Sequence, residues 1–209
     1  MQSNRIITIG RQFGSGGKAI GQIVADKLGI KLYDKELLAL ASKESGISED
    51  VIANSDELLT NDYFYMVAMD PIMSSFDAAS RMPIGQQAFL AQFDAIQKLA
   101  ESESCVIVGR CADYALRDFP NVTSVFINGE TEDKVALISQ LHNISNDKAL
   151  DLITKTDKKR AEYYNYYSDM EWGVASTYDM CVNSSRISYE GAANAIIEFV
   201  KIKEKSLEN

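Results

Sequence analysis

Apolar and polar positions along the chain follow two alternating rhythms. Residues 6–9 are apolar or β-branched, a run short enough for a buried strand. In residues 19–28 the apolar positions Ile20, Ile23, Val24 and Leu28 fall at helical spacing, and Gly29 ends the run. Residues 30–33 predict a second short strand stopped at Asp34. Residues 34–44 then predict a helix with Leu37, Leu38, Leu40 and Ala41 on its inner face. Further on, residues 86–100 read as a helix with Phe89, Phe93, Ile96 and Leu99 in one stripe. Residues 105–108 are continuously apolar, as a central strand buried on both faces would be. A strand at 122–127, a helix at 132–141, a long helical stretch from 145 to about 166, a strand at 179–182 and a closing amphipathic helix at 189–205 complete the series.

Strands that alternate with helices favour a parallel sheet with crossover helices. The expectation is one doubly wound α/β domain over residues 1–209, with five short strands and no internal repeat. It divides into a first pair of strand–helix units (1–47), a helical insert (48–85), the central strands and helices (86–144), a lid-like helical segment (145–175), and the last strand and helix (176–209). In the insert the rhythm breaks at Asn54, Ser55, Asn61, Asp62, Pro71, Ser74, Ser75 and Pro83. Tyr63, Phe64, Tyr65, Met66, Met69, Ile72, Met73 and Phe76 supply apolar mass there. Such a segment suits a cover for the acceptor side, a homodimer contact, or a plain helical satellite.

Composition narrows the function. With 46% hydrophobic and 24% charged residues the chain can bury an ordinary core, while a formal net charge of −9 argues against a general nucleic-acid binder. The three cysteines, Cys105, Cys111 and Cys181, suit a reducing compartment, and Cys105 and Cys111 have no histidine at zinc spacing. His142 is the only histidine and has no nucleophile beside it, which speaks against Ser-His or Cys-His catalysis. No stretch approaches the roughly 20 apolar residues of a membrane span, so a soluble cytoplasmic protein is expected.

The candidate chemistry starts at the first strand's end. Gly14, Ser15, Gly16 and Gly17, then Lys18 and Ala19, link that strand to the first helix. Glycines let backbone N–H groups converge on one anion, the helix start adds unpaired donors, and the lysine adds mobile charge for outer phosphates. Measured against the strict P-loop, the first glycine slot holds Gln12 and the hydroxyl slot holds Ala19. Ser15 and Asp34 are then the candidate metal-holding groups. The bland alternative is a glycine-rich turn without a ligand.

In a doubly wound sheet ligands gather at the carboxyl ends of the strands. Asp34 stands at the second strand's end, where it could assist a metal, accept a proton, or simply cap the next helix. Arg110 follows the third strand directly and suits a bidentate grip on phosphate, or an ion pair with Asp113 or Asp34. Residues 155–160, Lys-Thr-Asp-Lys-Lys-Arg, hold four cations and one acid. They read either as a solvated helix face or as a movable source of positive charge, with Lys159 and Arg160 closing over a transferring phosphoryl group. The aromatic run from Tyr163 to Tyr167 and Trp172 could stack on a base, although packing is their commoner role.

Three stretches together resemble the cytidylate kinase-like family of bacterial P-loop proteins: residues 6–37, residues 105–114 (Cys-Val-Ile-Val-Gly-Arg-Cys-Ala-Asp-Tyr) and residues 157–167. The resemblance implies a P-loop NTPase-type three-layer fold with a five-stranded parallel core sheet, a helical acceptor-side insert and a helical lid. It also implies transfer of the γ-phosphoryl group of ATP, with Mg²⁺, to a monophosphate such as CMP or dCMP. On it, Gly14 to Lys18 fall on the P-loop, Arg110 on the acceptor-phosphate arginine, and Lys158 to Arg160 on the lid. Aligned without gaps against authentic cytidylate kinases, the catalytic lysine column falls on Gly17, one place before Lys18. The CMP-recognising Leu-Asp-Ser-Gly-Ala motif becomes Tyr33-Asp34-Lys35-Glu36-Leu37, and the acceptor arginine column falls on Leu40.

The sequence therefore predicts a nucleoside monophosphate kinase-like phosphotransferase, with Lys18, Asp34, Arg110, Lys159 and Arg160 as its catalytic set. A nucleotide-binding sensor or subunit without turnover, or a kinase for another small acceptor, are the alternatives.

Overall fold

The computed structural model describes residues 4–55 and 82–207. Its five strands are β1 (Ile6–Arg11), β2 (Lys31–Tyr33), β3 (Cys105–Val108), β4 (Val122–Asn128) and β5 (Met180–Asn183). They form one sheet in the order β2-β3-β1-β4-β5, and every pairing is parallel. The helices are α1 (Gly17–Leu28), α2 (Glu36–Ser45), α3 (Glu49–Ser55), α4 (Ile84–Ser102), α5 (Ala112–Ala115), α6 (Thr131–His142), α7 (Asn146–Ser168) and α8 (Tyr189–Leu207).

Alternation along β1 assigns the two faces of the sheet. Ile7 and Ile9 join Val106, Val108, Val125 and Ile127 in a core closed by Ile20 and Val24 of α1 and Ile196, Ile197 and Val200 of α8. On the opposite face Ile6 packs with Ile107, Leu37 of α2, Ile96 and Leu99 of α4, and Leu116. Helices thus cover both faces in three layers, which explains why the strands read as continuous apolar runs.

Most elements differ from the expected spans by one or two residues. α3 lies in the segment expected as a helical insert, where the apolar rhythm breaks, and Ile52 anchors it, fully buried with Leu38, Ala41 and Ala88. α5 was not anticipated: it is a single turn after β3, too short for periodicity to reveal. The methionine- and aromatic-rich residues 63–76 lie outside the described residues. Cys105 is buried, and its thiol is pushed up to about 12 by loss of solvent, while Cys181 is exposed on the edge strand β5. Among the described residues no helix is long and apolar enough to cross a membrane.

Candidate active site

Register brings the ends of β1 and β3 level. Ile9 pairs with Val108, and the Gly109 N–H donates to the Ile9 carbonyl at 3.0 Å. The two chains then leave the sheet side by side, so the glycine loop and the Arg110 turn share one rim. In the loop Gly14 and Gly16 take positive φ values of 82° and 75°, the left-handed geometry that glycine adopts without a Cβ penalty. α1 starts at Gly17, so the N–H groups of Gly17, Lys18 and Ala19 are at a helix N-terminus with the positive end of its dipole. Lys18 and Ala19 are exposed there.

The loop is shaped from three sides. Ser15 is buried, and its hydroxyl donates to the Gln12 carbonyl at 2.9 Å. The Ser184 hydroxyl donates to the Ser15 carbonyl at 2.8 Å from the loop after β5. A Cβ on Gly14 would press on Lys134 and Ile138 of α6, and one on Gly16 would collide with the ring of Tyr189. The hydroxyl of Ser15 therefore serves the loop's own backbone.

Asp34 is the hub of the opposite wall. Its Oδ2 lies 2.7 Å from Lys18 Nζ. Arg110 donates from Nη1 to the Asp34 carbonyl at 2.5 Å and lies 3.3 Å from Oδ1. Burial alone would raise the Asp34 pKa, but the Lys18 hydrogen bond and the charges of Arg110, Lys18 and Arg11 outweigh it and hold the carboxyl below its ordinary value. The helix-capping alternative is not what is seen: Lys35 occupies the N-cap position of α2 with no side-chain cap. Arg110 takes the ion pair with Asp34. It does so from a rare backbone conformation, since Arg110 and Cys111 have φ values of 57° and 52°. Two successive non-glycine residues in that region cost about 1–3 kcal/mol each.

Arg110 also lines a cavity of about 20 Å³ between the ends of β1 and β3, with Arg11, Asp113, Arg160 and aromatic side chains that include Tyr164 and Trp172. Three arginines, from β1, the turn after β3 and α7, thus line one cavity beside the loop. The basic run of α7 divides here. Arg160 is half-buried, donates from Nη1 to the Arg11 carbonyl at 3.3 Å, and lies over the Phe13 ring. Lys155 and Lys158 pair along the exposed face with Asp151 and Glu162. Lys159 is exposed and does not line the cavity. Most of the aromatic run is packed: Tyr167 stacks on Phe89 at 4.0 Å, and Trp172 meets Phe126 edge-on at 5.1 Å, while Tyr166 is exposed.

A wider pocket of about 250 Å³ opens on the other side of the loop, lined by Gly14, Gly129, Asp133, Lys134, Leu137, Ser184, Ser185 and Tyr189. Sequence reasoning did not single out Lys134, Asp157 or Tyr189; these lie on helices, and the fold brings them to the loop. Leu40, on the acceptor-arginine column, packs among the apolar residues of α2 and α4.

Strand order and the glycine cradle at the end of the central strand define a P-loop kinase-type fold. The chain belongs to the cytidylate kinase-like family, whose model matches residues 6–186. It is similar to the crystal structure of an uncharacterized protein from Eubacterium ventriosum ATCC 27560, at 32% identity and a TM-score of 0.70, over 95% of this chain and 99% of that one. Shikimate kinase from Bacteroides thetaiotaomicron shares the fold at 15% identity and a TM-score of 0.52, over 94% of this chain and 98% of that one. No curated protein matches the sequence.

Proposed function

We propose that the protein is an ATP- and Mg²⁺-dependent phosphotransferase whose acceptor is a small anionic molecule of the nucleoside monophosphate type. The observation that carries this reading is that Arg11, Arg110 and Arg160 line one cavity beside the glycine loop. A phosphoryl group in transfer spreads negative charge over its oxygens, and fixed cations at that point lower the barrier without reorganising. Backbone N–H groups at the start of α1 hold the donor phosphates, and the exposed Lys18 reaches the outer ones. The donor's nucleoside lies in the wider pocket, against Tyr189 and the serines after β5. Arg110 grips the acceptor, with Asp34 fixing its guanidinium.

The metal has a modest protein contribution. Among the described residues no three His, Cys, Asp or Glu side chains lie close enough to form a metal cluster. Mg²⁺ commonly keeps waters and binds through one or two carboxylates plus substrate phosphates, and Asp34 fits that role. Ser15 does not, since its hydroxyl is buried on Gln12. Magnesium would neutralise charge between donor phosphates. The chain's own share is to orient them and to keep water out.

Leu40 favours a second reading about the acceptor. It is half-buried against the core, and no arginine stands on that column to read a CMP phosphate, which points to an acceptor other than CMP. Coupled ADP release, measured with Mg·ATP against CMP, dCMP, other monophosphates and small alcohols, separates these outcomes. Turnover with one acceptor fixes class and substrate together. Tight ATP binding with no turnover on any acceptor would make the protein a nucleotide sensor.

A further inference from the structure

Asp157 is the single acid in the basic run of residues 155–160, and it is turned toward the glycine loop. Its Oδ1 accepts the Phe13 N–H at 2.6 Å, and its Oδ2 lies 3.9 Å from Lys134 Nζ on α6. The charged groups that face it are Lys134 from α6, Arg11 from the end of β1 and Arg160 from α7 itself. Lys134 is buried, and its ammonium donates to Gln12 Oε1 at 2.9 Å, an oxygen that also accepts the Gly129 N–H at 3.2 Å. The Phe13 ring packs with Ile138 of α6 and with Ala149 and Ile153 of α7. Residues 12–14 are thus gripped by a carboxylate, an ammonium and an apolar socket.

We infer that Asp157 is a positioning residue that docks α7 on the glycine loop, so that the loop and Arg160 are set in one arrangement before any substrate arrives. The Phe13 N–H precedes the helix-start donors at Gly17, Lys18 and Ala19, so the carboxylate braces the cradle without filling it. A charge-assisted hydrogen bond is stronger and shorter than a neutral one, which suits it to fixing a loop amide. Three cations converge on this spot, one of them buried, and the carboxylate keeps them from driving α7 off the loop. Arg160, one helical turn on, is carried to the Arg11 carbonyl by the same docking. The consequence for ATP rests on the function proposed above; the docking itself does not.

Hydrogen exchange at the Phe13 amide tests the docking directly, because that amide lies outside any helix or strand. In the unmodified protein without nucleotide it is expected to exchange at least a hundredfold more slowly than an unprotected amide. In Asp157→Ala it exchanges at nearly the unprotected rate while amides of β1 and α8 keep theirs. Asp157→Asn, whose amide oxygen still accepts but carries no charge, restores only part of the protection. Calorimetry with Mg·ATP is expected to give affinity at least tenfold weaker in Asp157→Ala and a loss intermediate between that and the unmodified protein in Asp157→Asn. Rapid Phe13 exchange in the unmodified protein overturns the docking, and that measurement decides even where Asp157→Ala does not fold. A freed Phe13 amide with unchanged ATP affinity overturns the positioning role. Absence of ATP binding by the unmodified protein overturns the proposed function and leaves the exchange result standing.

Discussion

Lys18 and Asp34 form an ion pair across the mouth of the glycine loop, with Nζ 2.7 Å from Oδ2. The lysine is largely exposed, at 61% of its side chain, while the aspartate is at 12%. An exposed ammonium adds little to stability, about 0–1 kcal/mol, but it is free to swing toward a phosphate. Asp34 keeps Arg110 when Lys18 leaves. Lys18→Met is therefore expected to leave the thermal midpoint within a few degrees and to cost kcat about 3 kcal/mol, with a smaller effect on ATP affinity. Steady-state kinetics with calorimetry check this. An equal loss in affinity and in kcat/KM, with kcat intact, would make Lys18 a binding group only.

Gly16 carries two constraints at once. Its φ is 75°, and the Tyr189 ring fills the space a side chain would need. A bulky substitution therefore strains the fold as well as the cradle, so Gly16→Val is a poor test of phosphate binding alone. Gly16→Ala is expected to cost about 1–3 kcal/mol of stability from the backbone conformation and more from the collision. Adding Tyr189→Ala is expected to return the collision part and leave the backbone part. Urea unfolding of the two single variants and the double variant measures the coupling. Simple additivity would show that the ring moves aside freely.

The sheet was legible in the sequence because central parallel strands are apolar on both faces. Residues 105–108 could hardly be anything else. The glycine loop was legible because glycine spacing is local chemistry. The walls of the site were harder to read. Asp34 was visible, but its pairing with both Lys18 and Arg110 depends on β2 and β1 flanking β3, which no local pattern encodes. Arg160 and Lys159 are adjacent in sequence, and about 100° of helix separates an inward guanidinium from an exposed ammonium. Asp157 looked like an exception in a basic run, and only the packing of α7 on the loop gives it a role.

Half-buried Asp113 accepts a hydrogen bond from the Tyr164 hydroxyl at 2.5 Å. Burial raises its pKa above the ordinary carboxylate value, opposed by the Tyr164 hydroxyl and the N–H groups of Asp113 and Tyr114. A raised folded-state pKa means the ionised form is costly in the fold. The penalty is absent below the unfolded pKa of about 3.9 and grows as pH rises through the folded value. Asp113→Asn keeps an acceptor for Tyr164 and loses the charge, so its stability relative to the unmodified protein is expected to rise between pH 4 and pH 8. Tyr164→Phe is expected to cost about 1–3 kcal/mol at pH 8 and less near pH 4. Urea midpoints at both pH values decide. A pH-independent gap between Asp113→Asn and the unmodified protein would place the carboxyl's titration outside this range.

Arg160 gives the sharpest test of catalysis. It reaches the cavity from α7, beside Arg11 and Arg110, donates a 3.3 Å hydrogen bond to the Arg11 carbonyl and lies 5.8 Å from the Phe13 ring centroid. Urea unfolding of Arg160→Ala measures its structural share separately from its share in turnover. If the guanidinium meets charge that develops only during transfer, its loss is expected to lower kcat by about 10²-fold or more and to leave ATP affinity within a few-fold. Arg160→Lys keeps the charge but not the planar fork, and is expected to recover only part of the loss. Lys159→Ala serves as the control on the exposed face and is expected to keep nearly full activity. A reversed ranking, with Lys159→Ala inactive and Arg160→Ala active, would mean that α7 rotates to present its other face during turnover.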